Sequence, residues 1–213
     1  MKVLHVCASP KPIEKSASKQ LAAAFFVKLA EKNGDAEVTN VDLYHSPPPF
    51  LTLDMYRCLW QPVYEPGYEP TDEEKKAAAY AISQAEQLRD SDVVVLTMPL
   101  WNFGMPAIMK AWLDQVMVPN VLFTIEPDGV KALHQIRRVI LLISSAGVFK
   151  EGDPNDALTP EITAMMIMIG VTDVMVAWAD GQDPVLHADH ADRKATAIEA
   201  TQELAEEVAE TKL

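Results

Sequence analysis

Residues 92–112 read DVVVLTMPLWNFGMPAIMKAW, and this stretch decides the fold. An uninterrupted apolar, β-branched run (92–98) is the pattern of a strand buried on both faces, as in parallel sheets. It ends in a turn carrying Trp101, Asn102 and Phe103, and a helix is expected over 106–116 behind Pro106, placed in its first turn. In open parallel α/β sheets the carboxyl ends of the strands form the edge where ligands sit. Trp101 and Phe103 offer stacking faces to a flat aromatic ligand, and the peptide groups around Asn102 can read its polar rim. The same stretch also reads as an ordinary strand-turn-helix corner whose aromatics pack in the core.

A second segment points to the same edge. Lys2–Cys7 is an apolar strand, followed by a loop rich in small residues and hydroxyls (Ser9, Ser16, Ser18) and then by a helix expected over 16–32. Such a loop at a helix N-terminus is an anion site, because the unpaired N–H groups and the positive end of the helix dipole coincide there. Ser16 or Ser18 also reads as a plain N-cap. The loop carries neither the glycine pattern of a P-loop nor that of a dinucleotide fingerprint, so a mononucleotide phosphate suits it better.

Beyond these, strands are expected at Glu37–Asp42, Arg138–Ser144 and 171–177. Helices are expected at 71–89 behind the capping signal Thr71–Glu74, at 159–168 and at 189–211. Five strands alternating with helices predict an α/β doubly wound five-stranded parallel sheet in the order 2-1-3-4-5 along the chain, with helices on both faces. That order sets the two ligand loops side by side at the topological switch point. The chain is expected to form a single domain over 1–213. An excursion at 44–70, rich in proline and aromatics, is too long for a plain connector. It is expected to cover a pocket or meet a partner subunit, or to pack on its own domain.

Composition bounds the function. The chain has 213 residues and a formal net charge of −13, which argues against nucleic acid and anionic membranes as partners. Cys7 and Cys58 form no disulfide framework or zinc motif, and no apolar run approaches a membrane span, so a cytoplasmic protein is expected. No metal site is expected: His187 and His190 read as a solvated loop, and His5 as a core histidine. Ser144-Ser145 is no nucleophile elbow, and no histidine has a partner pattern for nucleophilic catalysis. Met165, Met166 and Met168 read as core packing.

The chain resembles the FMN-dependent NAD(P)H azoreductase and quinone-reductase family, which is flavodoxin-like and homodimeric. Ser9-Pro10 with Ser16-Ala17-Ser18, the segment Met98–Pro106 with Lys110 and Trp112, and Ser144-Ser145-Ala146-Gly147 carry the resemblance. It implies that Ser9, Ser16, Ala17 and Ser18 hold the FMN phosphate. Pro99, Leu100, Trp101, Asn102 and Phe103 would line the flavin ring, and Ser144, Ser145, Ala146 and Gly147 would meet its edge. It implies no catalytic side chain, because flavin N5 carries the hydride. Substrates would be small quinones, azo and nitro aromatics, reduced with NADH or NADPH in a ping-pong cycle. Apart from the resemblance, the aromatic density of the excursion assigns Trp60 and Tyr64, with Tyr56 and Tyr68, to the far wall of a substrate slot, its own or the partner subunit's, and Phe123 stands where the family has a matching aromatic. Ala17 replaces a frequent Gln, and Ser145-Ala146 replaces a more usual Arg-Gly pair, so one positive group near the flavin is missing. Asn120, Val121 and Leu122 also depart from the family's pattern. A flavodoxin-like electron carrier without nicotinamide chemistry, and a member that binds no flavin, remain the competing readings.

Overall fold

The computed structural model describes residues 1–150 and 152–210. Its centre is a five-stranded parallel sheet of β1 (Lys2–Cys7), β2 (Glu37–Asp42), β3 (Val93–Pro99), β6 (Arg138–Ser144) and β7 (Val174–Ala179), in the order β2-β1-β3-β6-β7. Two strands that the sequence did not announce, β4 (Phe123–Glu126) and β5 (Gly129–Ala132), form a separate antiparallel hairpin. The hairpin lies between β3 and β6 in the chain but outside the sheet.

The central strands are largely apolar because they are covered twice. In β3, Val93 and Val95 join a core with α1 (Ala17–Lys32) and α7 (His190–Glu210). Val94, Leu96 and Met98 point the other way, into a core with α2 (Leu53–Leu59), α4 (Asp72–Arg89), α5 (Ala107–Val116) and α6 (Leu158–Met168). In β6 the same alternation sends Ile140 and Leu142 to one face and Val139, Leu141 and Ile143 to the other. This is the period-2 geometry of a strand between two helical layers. β2, mostly exposed, is one edge, and β7 is the other.

Local chemistry sets the helix ends. Ser16 caps α1 by accepting from the Lys19 amide, so the helix begins at Ala17. Thr71 and Glu74 form a capping box at the start of α4, and Tyr68 donates to Glu74, which fastens the end of the 44–70 segment to that helix. Two helix starts differ from expectation. Pro106 is the N-cap residue of α5 rather than its first helical residue. α6 starts at Leu158, because Asp156 accepts from the amides of Leu158 and Thr159, leaving Pro160 in third position. β7 starts three residues later than expected, because Gly170 (φ 95°) and the Val171 amide, bonded to Met166 O, close α6 first. Of the helix expected over 189–211, Thr211 lies outside the described residues.

The 44–70 segment is folded. It holds α2 and the short α3 (Gln61–Tyr64), with Met55 and Leu59 buried against α4. The Gln115 side chain on α5 donates to the Pro49 carbonyl and anchors the proline run.

His5 lies inside β1 between Asn40 (2.8 Å) and Thr97 (3.0 Å), packed on Phe26. Burial pushes its pKa down, and burial does the same to His134. The folded state therefore resists protonation, whereas the unfolded chain takes up these protons near 6.5. Below that pH the unfolded state binds more protons, so stability is full above pH 6.5 and is lost as pH falls below it. Thermal melts of wild type and His5→Gln between pH 7.5 and 5.5 are expected to show the shallower pH dependence in the variant. Parallel profiles would remove His5 from this role.

Candidate functional site

A cleft of about 310 Å³ opens at the carboxyl edge of the sheet. Pairing of β3 with β6 in register sets Pro99 opposite Ser144, and the Leu100 amide donates to Ser144 O at 2.7 Å. The ends of two neighbouring strands thereby deliver Pro99, Leu100, Trp101, Ser144, Ser145 and Ala146 to one place. From β1 the chain brings Ser9, Ser16 and Ala17 to the same cleft. The sequence had proposed these nine residues from three separate segments.

The serine loop is tightly organised. Ser9 Oγ lies 2.9 Å from Ser16 Oγ, which lies 3.3 Å from Ser18 Oγ, and all three residues are buried. Ser18 is fully buried and does not line the cleft, so its hydroxyl supports Ser16 rather than facing a ligand. At the start of α1 the amides of Ala17 and Ser18 have no intrahelical acceptor. A compact phosphate is the group such a cradle fits.

The loop after β6 is braced from β7 and α7. Ser145 Oγ accepts from Trp178 Nε1 and donates to Gly147 O, both at 2.8 Å. Phe149 stacks on Trp178 with centroids 5.3 Å apart, and its amide donates to Asp180, which also pairs with Arg193. Gly147 lies in this loop but not in the cleft wall; its carbonyl accepts from the Gly181 amide and from Ser145. Gly181 has φ 58°, and a Cβ there would meet Arg193 Cδ at 2.8 Å. Ser145 thus has a structural task in this loop.

Trp101 forms the shared wall of this cleft and a larger one of about 840 Å³. The second cleft is lined by Trp101, Asn102 and Met105 to Ile108 on one side and by Tyr44, Pro47, Pro48 and Phe50 on the other, with Lys110 and Glu161 at its rim. Within one chain Trp60 and Tyr64 do not line this cleft. Trp60 stacks on Tyr64 (6.4 Å), tilts against Phe123 and packs on the core, away from both clefts. Phe123 is buried in the core and cannot touch a ligand within this chain. The start of the excursion, not its two helices, faces Trp101.

Asn102 and Phe103 are the central residues of a two-residue turn, with mutual hydrogen bonds between Trp101 and Gly104. Both have positive φ, 49° and 70°. Asn tolerates that conformation and Phe does not, so the turn holds strain. Phe103 is exposed and lines neither cleft, while its carbonyl accepts from the Ala157 amide at 2.8 Å.

Several residues of the smaller cleft were missed from the sequence: Lys11, Lys15, Gln182, Pro184, His190 and Lys194. A signal for the last two existed. Every helix that follows a strand of a parallel sheet begins at the carboxyl edge, so the start of α7 belongs there like the start of α1. Among the described residues, no group of three or more His, Cys, Asp or Glu is arranged to hold a metal ion.

With this geometry in view, the comparisons with known proteins are specific. The family described as flavodoxin-like fold matches residues 1–205. The chain belongs to it. It is 32% identical over 187 residues to the FMN-dependent NADH:quinone oxidoreductase 1 of Bacillus licheniformis, covering 86% of this chain and 88% of that protein. It is 30% identical over 200 residues to the FMN-dependent NADH:quinone oxidoreductase of Gluconacetobacter diazotrophicus, covering 94% and 95%. Among solved structures it is similar to azoreductase AzrA (TM-score 0.87, 26% identity, 97% of this chain and 100% of that one). It is also similar to an azoreductase from Bacillus anthracis (TM-score 0.85, 27% identity, 97% and 99%). No helix among the described residues is long and apolar enough to cross a membrane.

Relieving the strained turn gives a direct test of its character. Phe103→Gly is expected to stabilise the flavin-free protein by about 0.5–1 kcal/mol, because an exposed side chain in left-handed backbone is removed. A lower melting temperature would show that Phe103 packs more than its exposure indicates.

Proposed function

We propose that this chain is an FMN-dependent oxidoreductase that passes two electrons from NADH or NADPH to quinones and azo or nitro aromatics. One observation carries the reading: a phosphate cradle and an aromatic slot lie side by side and share Trp101. The named relatives, NADH:quinone oxidoreductases and azoreductases, support it.

Ser9, Ser16 and the amides of Ala17 and Ser18 would hold the phosphate. Pro99, Leu100 and Trp101 would line the ring, and the backbone at Ser144, Ser145 and Ala146 would meet its polar rim. FMN supplies hydride acceptance and release when bound. The protein's own work is to hold, orient and exclude water. N–H donors of the loop that follows β6 would stabilise negative charge on the reduced ring without reorganising. The aromatic slot supplies flat faces at Tyr44, Phe50 and Trp101 for nicotinamide and acceptor in turn. Asn102 belongs to this slot rather than to the phosphate cleft.

An electron carrier would need only the smaller cleft. The roomy slot beside Trp101 favours the reductase, because a carrier has no second ring to seat. The 44–70 segment acts as cover for this slot within one domain. Phe50, Leu53 and Tyr64, exposed at 81, 61 and 66%, give a second copy of the chain an apolar face to cover in a homodimer. Two unpaired cysteines suit a reducing cytoplasm.

One slot used alternately predicts ping-pong kinetics. Initial rates with NADH and a small benzoquinone should give parallel double-reciprocal lines, and Trp101→Ala should lower kcat/KM for both partners at least tenfold. Intersecting lines would mean that donor and acceptor occupy separate places. An NADH oxidation rate no faster with quinone than without would favour the carrier.

A further inference from the structure

The phosphate cleft carries more positive charge than its serine loop accounts for. Lys11, Lys15 and Lys194 line it, against one carboxylate, Glu14. Among the described residues none of these lysines forms an ion pair, whereas neighbouring Lys19 is held by Asp42 at 3.5 Å. In a chain of net charge −13, three uncommitted ammonium groups gathered on one 310 Å³ cleft repel one another until an anion arrives. They come from different elements: Lys11 from the loop after β1, Lys15 from the short 3-10 turn at Ile13–Lys15, and Lys194 from α7.

Lys194 is less exposed than Lys11 and Lys15. It is half-buried and lies one turn after His190, which also faces the cleft. The first turn of α7 is pinned by Gln182, whose side chain donates to the His190 carbonyl at 2.9 Å, and by Arg193, which reaches Asp180 and Asp189. α1 and α7 lie together on one face of the sheet, so both helix starts meet the same edge.

We propose that Lys194, with Lys11 and Lys15, forms a cationic clamp on the phosphate monoester of FMN, closing the serine cradle from the α7 side. This rests on the flavin reading above. It makes cofactor retention electrostatic and dependent on the phosphate.

The test is a fluorescence titration of flavin-stripped protein with FMN and with riboflavin, at rising KCl. Wild type is compared with Lys194→Gln, the double variant Lys11→Gln/Lys15→Gln, and Lys76→Gln, which is exposed on α4 and remote from the cleft. Melting curves check that each variant is folded. Lys194→Gln is expected to weaken FMN roughly tenfold, as loss of one charge-assisted hydrogen bond does. It should leave riboflavin unchanged and make the salt dependence of FMN affinity shallower, with Lys76→Gln like wild type. Unchanged FMN affinity, or equal weakening of FMN and riboflavin, would overturn the clamp while leaving the flavin reading intact. A Lys194→Gln protein that keeps FMN but loses NADPH relative to NADH would move the lysine to the dinucleotide's phosphate and overturn the assignment to FMN. A wild-type protein that binds no FMN would overturn the flavin reading and the clamp with it.

Discussion

The rest of the structure depends on the in-register pairing of β3 with β6, two strands buried on both faces. Parallel strands covered on both sides are apolar apart from paired groups such as Thr97, which leaves ligand-facing polar chemistry to their ends. Because Pro99 pairs with Ser144, the two strands end level, and the chain turns away at the same height on both. Helices that follow these strands start at that edge. Free amides, serine hydroxyls and an aromatic turn are therefore gathered at one rim of the core.

From this edge the two clefts follow. The smaller one is polar, built from the β1 loop, the ends of β3 and β6 and the start of α7. The larger is apolar and is completed by the proline run at the start of the 44–70 segment, tied down through Gln115 and Pro49. Trp101 belongs to both, and it is carried by a turn whose left-handed Asn102 and Phe103 keep it in place. A strained exposed aromatic beside a cleft is the kind of feature that stability alone does not favour.

Much of this was legible in the sequence because the signals were local. The run 92–98 announces its double burial, Thr71–Glu74 announces a helix start, and Ser16 followed by small residues announces a capped helix behind an anion loop. What escaped reading was set by distant packing. The hairpin of β4 and β5 has no alternating apolar face, since seven of its eight residues lie outside the core. The 44–70 segment was recognised as unusual from its aromatics. Which of them face the slot depends on where α2 docks on α4: this turns Trp60 toward Phe123, with Tyr64 stacked on Trp60, and leaves Tyr44 and Phe50 beside Trp101. Lys194 escaped because it is 185 residues from Ser9, and only the topology brings them together.

The most direct test of the central claim is the visible absorption spectrum of the purified protein, recorded before and after anaerobic addition of NADH. The account predicts an oxidised-flavin spectrum that bleaches in a single two-electron step. A protein that is colourless and gains no flavin spectrum on incubation with FMN would contradict it, leaving the fold without its chemistry.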